Sequence, residues 1–320
     1  MKRFGLIATV LATSFLMLLS GCSNRQDSAM GTSSTTANIA PLKTVCVGRY
    51  TIDIPHSATN VRLTQSFKGI NIDVFYPANR QRLHDETIHK VASAAEVTDF
   101  QPKRIDSQAG STTDSVQVWQ SGADLYSVHG TTLKQDAGFL FSIEVMGESV
   151  QGAKVAMSQL MQTIRLRDPF AVPTEQGFCI ERGFIPGGYA GGETASISAD
   201  LTAPDASLMM STNTEAKNTG GNVIVRMSSL PLPLANLVSS DTEILRRGGK
   251  IVAGRDGDEY DYAVKQSKEV SLEWSALTGN DHATEPTMKI SMDTRSAVSE
   301  SARPALMTLW DDVLKSVKRR

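Results

Sequence analysis

Cysteine and histidine are scarce in this sequence, with three of the first and five of the second. The histidines, His56, His84, His89, His129 and His282, are scattered, and His84 and His89 are five apart, so on a helix they do not share a face. Neither a His-Glu-x-x-His string nor a Cys-x-x-Cys pair occurs, which leaves zinc without a signal. A Gly-x-Ser-x-Gly nucleophile elbow is missing too. The nearest string, Gly147-Glu148-Ser149-Val150-Gln151-Gly152, has the wrong spacing and opens a helical pattern, where Ser149 reads as an N-cap. A basic excess is also lacking. The 32 Lys and Arg face 34 Asp and Glu, which gives no reason to expect nucleic acid. These absences argue for binding over chemistry: no enzyme, no cofactor and no metal are expected.

What is present begins at the N-terminus. Lys2 and Arg3 precede an apolar run, Phe4 to Leu19, which is short for the roughly 20 residues of a membrane-crossing helix. Leu19-Ser20-Gly21-Cys22 closes it. A positive start, an apolar centre and small residues at the cut describe a secretory signal over residues 1–21. Cysteine after Leu-Ser-Gly resembles the lipobox of bacterial lipoproteins, which implies lipidation at Cys22 by diacylglycerol and then an acyl chain such as palmitate. An ordinary secreted protein with a chance cysteine is the alternative. Ser23 rather than aspartate follows, which by resemblance to sorting signals favours the outer membrane. Residues 22–40 are rich in Ser and Thr and read as a lipidated, disordered tether. Without residues 1–22 the chain keeps 30 basic against 34 acidic residues, a net charge of −4, because only Lys2 and Arg3 are lost.

About 280 residues follow the tether, long for one core and natural for two domains. They read twice through one pattern. In the first half, Thr44–Ile54 alternates as a strand, Asn60–Ser66 and Gly69–Tyr76 as two more, and Arg80–Thr98 as a helix. Strands Ser115–Gln120, Ala123–Leu133 and Gly138–Met146 and a helix Val150–Leu166 complete it. In the second half, Phe178–Ile185 is a short strand, and Ser196–Thr202 with Ser207–Asn213 a hairpin around Pro204-Asp205. A polar insertion, a strand Asn222–Ser228 and a helix Leu234–Arg247 closed by Gly248-Gly249 come next. Strands Lys250–Ala253 with Asp258–Lys265, Lys268–Leu277 and Thr287–Asp293 lead to a last helix begun by Pro304. The linker 168–177 carries two prolines and a glycine. The fold class is α+β: two similar domains, 41–168 and 177–320, each an antiparallel sheet with helices packed on one face.

Several polar strings admit a plain reading. Gly187-Gly188 and Gly191-Gly192 read as a loop, since another strand follows where a phosphate cradle needs a helix. The acidic run from Asp256 to Asp261 reads as a solvated turn rather than a calcium loop. Lys318-Arg319-Arg320 reads as complementing the last helix dipole. Cys46 and Cys179 each begin a half, and in an oxidising compartment they either join in a disulfide or remain two buried thiols.

Two strings now matter together: Thr44-Val45-Cys46-Val47-Gly48-Arg49-Tyr50-Thr51-Ile52-Asp53-Ile54-Pro55, and Gly177-Phe178-Cys179-Ile180. With the leader and the two α+β halves, they resemble the type VI secretion immunity proteins that neutralise phospholipase effectors, over about residues 41–318. The resemblance implies a periplasmic protein that binds a cognate secreted lipase and inhibits it by clamping, not by hydrolysis. It carries over no interface residues. On physical grounds the loops Pro186–Glu193, with Tyr189, and Asn213–Gly221 are the candidate effector contacts, Tyr189 either facing the partner or packing on its own domain. A structural lipoprotein of the envelope and a hydrolase with an unrecognised site are the competing readings. Cys22→Ala is expected to abolish incorporation of labelled palmitate, and equal labelling of wild type and variant would refute the lipid anchor.

Overall fold

A computed structural model of the chain describes residues 41–98, 100–109, 114–216, 241–279 and 282–320. The expected leader and tether, the strand 222–228 and residues 234–240 of the expected helix lie outside the described residues. The first half runs β1 (Leu42–Val47), β2 (Tyr50–Pro55), β3 (Thr59–Phe67), β4 (Ile70–Phe75) and α1 (Arg80–Thr98). It continues through β5 (Lys103–Ala109), β6 (Asp114–Gln120), β7 (Leu125–Lys134), β8 (Ala137–Met146), α2 (Val150–Thr163) and β9 (Arg165–Leu166). The second half runs β10 (Gly177–Ile180), β11 (Gly183–Pro186), β12 (Thr194–Thr202), β13 (Asp205–Asn213), β14 (Thr242–Val252) and β15 (Arg255–Val264). It ends with β16 (Val270–Ala276), β17 (Thr287–Thr294), α3 (Arg303–Ser316) and β18 (Lys318–Arg319).

Twelve of these strands form one antiparallel sheet in the order β14-β15-β16-β17-β13-β12-β3-β4-β8-β7-β6-β5. Read outward from the central β12–β3 pair, the two sides are the same: a hairpin, then a four-strand meander entered from its last strand. The halves thus repeat one topology, and each supplies half of a shared sheet instead of a separate one. Residues 39–320 form one compact unit. Among the described residues no helix is long and apolar enough to cross a membrane.

The remaining strands are exchanged. The β1–β2 hairpin of the first half is completed by β18 from the end of the second. The β10–β11 hairpin of the second half is completed by β9 from the end of the first. The sequence reading took each hairpin for a single strand, Thr44–Ile54 and Phe178–Ile185. Alternation runs straight through both turns, which are made by Gly48 at φ 56 and Arg182 at φ 51.

The expectation of helices on one face is corrected. On β7, Gly130 faces α2, since a side chain there would meet Met157 at 2.6 Å. Gly138, paired with Leu133, faces α1, since a side chain there would meet Leu83 at 2.8 Å. Residues 130 and 133 point to opposite faces of a strand, so α1 and α2 sandwich the sheet. Helix α1 shows Leu83, Thr87 and Val91 to the sheet and begins where the Asn79 side chain accepts the Arg82 amide at 2.8 Å. Helix α2 buries Ala153, Met157, Leu160 and Met161, and Ser149 stands before it without making a capping hydrogen bond. A second correction concerns Leu234–Arg247. Residues 242–247 are extended in β14, and Gly248-Gly249 lie inside that strand. Two glycines in an edge strand look like a helix stop when only the sequence is read.

Helix α3 covers the same face as α2 and buries Leu306, Leu309, Trp310, Val313 and Leu314. It meets β14 and β15 through charge. Arg246 reaches Asp311 with two nitrogens at 2.7 and 3.0 Å, and Lys250 bridges Asp311 at 2.8 Å and Glu259 at 2.9 Å. The Trp310 indole donates to Glu259 at 2.8 Å. Asp261, read from sequence as part of a solvated turn, is fully buried beside them, with one oxygen accepting the Glu273 amide at 3.3 Å and the other unpartnered. Burial first, and then the Glu259 charge, push its pKa up to about 8. At neutral pH Asp261 is therefore protonated, which leaves two cations facing two anions.

The unfolded carboxyl titrates near 4 and the folded one at about 8. Between these values the native state holds a proton that the unfolded chain has lost, so Asp261 lowers stability as pH rises through that window, by at most about 1.4 kcal/mol per unit. Asp261→Asn mimics the protonated acid at every pH. Urea midpoints at pH 5 and pH 8 should differ less for the variant than for the wild type, with the variant more stable at pH 8.

Candidate functional site at the junction of the halves

The β1–β2 turn of the first half meets strand β10 of the second. Gly48 and Cys179 exchange backbone hydrogen bonds of 3.0 and 2.9 Å, and next to them Cys46 and Cys179 form a disulfide with Cα atoms 5.8 Å apart. Both cysteines are buried, with Phe184 beside them. Gly48 is required by its positive φ and because a Cβ would lie 2.8 Å from that of Ala195. The bridge spans 133 residues, a loop for which the chain-entropy model gives roughly 4–5 kcal/mol.

Arg49, in the β1–β2 turn, reaches across to the loop that precedes β12. Its guanidinium grips Glu193 with two nitrogens, one at 2.9 Å, and donates to the Gly187 carbonyl at 2.7 Å. Only 4% of Arg49 and 3% of Glu193 are exposed. Glu193 also accepts the Ala190 amide at 3.1 Å, so the pair shapes the whole glycine-rich loop. A fork-on-carboxylate pair of this kind is strong when both groups are fully satisfied.

Tyr189 lies in this loop, half-buried between Arg49, 5.0 Å from its ring, and Arg319, at 4.7 Å. Its hydroxyl donates to the Arg320 carbonyl at 2.9 Å and accepts from Arg319 at 2.8 Å. Arg320 turns inward, directing one nitrogen to both disulfide sulfurs at 3.2 Å and another to the Glu175 carbonyl at 3.0 Å. Of residues 318–320, read from sequence as a dipole complement, Lys318 and Arg319 pair with β2 and Arg320 covers the disulfide. Arg167 holds the linker from the other side through the carbonyls of Pro169, Ala171 and Ile180. A groove of about 330 Å³ runs between α2 and the Tyr189 loop, lined by Leu160, Ile185 and Tyr189 among others.

Of the candidate loops, 186–193 is therefore a fixed element of the junction, while 217–221 of the second lies outside the described residues. The histidines are not brought together. His56, His84, His89 and His282 are exposed, and His129 lies under α1 with its pKa pushed down to about 4, chiefly by burial. Among the described residues no three acidic, histidine or cysteine side chains converge to hold a metal ion. Arg49 sat within a quoted string, but nothing in the sequence linked it to Glu193, which lies 144 positions away.

Residues 171–320 match the family model described as the Tle cognate immunity protein 4 C-terminal domain. Among solved structures, the chain is similar to the apo form of the immunity protein TplEi of the type VI secretion system from Pseudomonas aeruginosa. The identity is 20% and the TM-score 0.72, over 88% of this chain and 98% of that one. It is also similar to a chain in the crystal structure of the Tle4–Tli4 complex, with 19% identity, a TM-score of 0.71 and 87% and 97% coverage. TplEi complexed with an "L" peptide aligns at 20% identity and a TM-score of 0.66, over 88% of this chain and 99% of that one. No curated protein sequence matches the chain. At these identities the solved structures establish the fold.

Arg49→Ala should strand a buried carboxylate at Glu193 and cost about 3–5 kcal/mol in urea unfolding. Adding Glu193→Ala should recover part of that loss, since neither charge then remains alone. Equal losses for the single and double variants would show that the pair does not hold the junction.

Proposed function

We propose, from the match of residues 171–320 to the Tle cognate immunity protein 4 C-terminal domain, that this chain is an immunity protein that binds and inhibits a phospholipase effector of type VI secretion. The family match carries the reading, and the shared fold over nearly the whole length of TplEi supports it. The chain acts by binding and is not itself a lipase. It is exported, lipidated at Cys22 and held in the periplasm, on the outer membrane, by the tether of residues 22–40. There it meets an enzyme that would otherwise attack the phospholipids of its own cell.

The domains at work are the halves 41–168 and 177–320, locked by the junction into one rigid inhibitor. Rigidity matters because each side chain or loop ordered on binding subtracts from affinity. Tyr189, at the rim of the groove beside α2, is a candidate effector contact whose position is fixed beforehand by Arg49 and Arg319. A nanomolar complex, about −12 kcal/mol, suffices to keep the lipase active site covered.

Cells that make the cognate lipase in their periplasm should stop growing or lyse, and co-expression of the full chain should rescue them. A version without residues 1–21 should fail, because toxin and binder then occupy different compartments. Soluble protein starting at Ser23 should abolish phospholipid hydrolysis near a one-to-one ratio. Inhibition that needs a large excess, or that is equally strong against unrelated lipases, would mean that the protein competes for lipid surface rather than for the enzyme.

A further inference from the structure

The linker between β9 and β10 carries an unbroken apolar run: Pro169, Phe170, Ala171, Val172 and Pro173. Phe170 is 48% exposed and Val172 39%, with Ala171 exposed between them. A single exposed hydrophobic residue is ordinary, but an exposed run of this length is a fault in a fold unless function requires it. The run is held in place. Asp168 opens a turn, its side chain accepting the Phe170 amide at 3.0 Å and its carbonyl the Ala171 amide at 3.1 Å. Arg167 donates to the Pro169 carbonyl at 3.0 Å and the Ala171 carbonyl at 2.7 Å, and Arg320 donates to that of Pro173. The two prolines have no N–H to satisfy.

Two observations point to a lipid bilayer. The first is this internal hydrogen bonding. Hydrocarbon offers a backbone no partners, so a loop enters it only where its own fold supplies them. Two of the run's three amides and three of its five carbonyls are satisfied in this way. The second is position. The described residues begin at Pro41, and two residues later the Lys43 ammonium lies 4.8 Å over the Phe170 ring. Phe170 therefore stands beside the point where the N-terminal segment joins the fold. On the lipoprotein reading, residues 22–40 separate this point from the bilayer by 19 residues, a coil whose ends lie on the order of 25 Å apart. Such a linkage holds the loop against the bilayer at a high effective concentration, so a weak partition suffices. Lys43 donates to the His56 carbonyl at 3.5 Å and keeps two further N–H groups for a headgroup phosphate.

We propose that loop 169–173 is a lipid-contact element: Phe170 and Val172 enter the interface of a phospholipid bilayer while Lys43 stays among the headgroups. The proposal rests on the lipoprotein reading for what brings the loop to the membrane. Its consequence is orientation. An anchor at the end of a tether leaves the folded body free to turn, and a second contact beside the tether's attachment holds one side of that body to the membrane.

The chain from Cys22 onward has one free thiol, Cys22 itself, because Cys46 and Cys179 are bridged. Coupling that thiol to a maleimide lipid, in vesicles of phosphatidylethanolamine and phosphatidylglycerol, supplies an anchor independently of what the cell attaches. Phe170→Trp places a fluorescent reporter in the loop, and the wild type corrects for the three native tryptophans, of which Trp274 and Trp310 are fully buried. Brominated acyl chains should quench the fluorescence that Phe170→Trp adds and leave the wild-type signal unchanged. Phe170→Ser with Val172→Ser should keep the urea midpoint of the wild type, since both side chains are exposed. Without coupling, this double variant should float with the vesicles about tenfold more weakly than the wild type. Quenching in coupled vesicles without palmitate on Cys22 in cells overturns the anchor and leaves the loop's affinity for lipid standing. Palmitate on Cys22 without quenching of Phe170→Trp overturns the loop and leaves the anchor standing. A large loss of lipase affinity in the double variant, with flotation unchanged, assigns the loop to the effector and overturns the lipid contact.

Discussion

The antiparallel pairing of β3 with β12 is the contact on which the rest of the structure depends. It joins two copies of one topology edge to edge, through residues such as Leu63 opposite Ile197 and Gln65 opposite Ala195. Each half would otherwise present an open strand edge with unsatisfied amides and carbonyls, a template for aggregation. Pairing the two edges removes that hazard and fixes the register that brings the β1–β2 turn against β10. The disulfide, the Arg49–Glu193 pair and the placement of the Tyr189 loop all follow from that register.

The junction also explains what the distinctive sequence strings record. Cys46, Gly48 and Arg49 in one string and Cys179 in the other are the residues that make it. Gly177 is constrained as well, since a Cβ there would lie 2.1 Å from the Phe184 ring. Phe178 packs on Phe67 with ring centroids 5.5 Å apart. The strings that carry the resemblance therefore mark the locking of two halves.

Much of the fold was legible for physical reasons. Helix α1 is bounded as read, Arg80 to Thr98, because its apolar stripe is regular and Asn79 caps it. The β12–β13 hairpin was legible because buried and more exposed residues alternate along both of its strands. What escaped reading has causes too. Tight turns at Gly48 and Arg182 do not interrupt a two-residue period. Strands as short as Arg165–Leu166 and Lys318–Arg319 carry no periodic signal at all. Asp261 looked like solvent-facing charge because its neighbours are acidic, whereas the strand period aims it at α3.

The exchange of β9 and β18 bears on how the chain acquires its structure. The β1–β2 hairpin can form from local residues, but its outer edge gains a partner only when residues 318–319 arrive. The second hairpin waits less, since β9 precedes it by a short linker. Such a separation costs modest loop entropy, which grows only logarithmically with length, but contacts this distant slow folding. A chain emerging N-terminus first thus carries an unpaired edge through most of its synthesis. Folding of the first half is tied to completion of the second, so a chain truncated before residue 318 would be an aggregation hazard rather than half a folded protein.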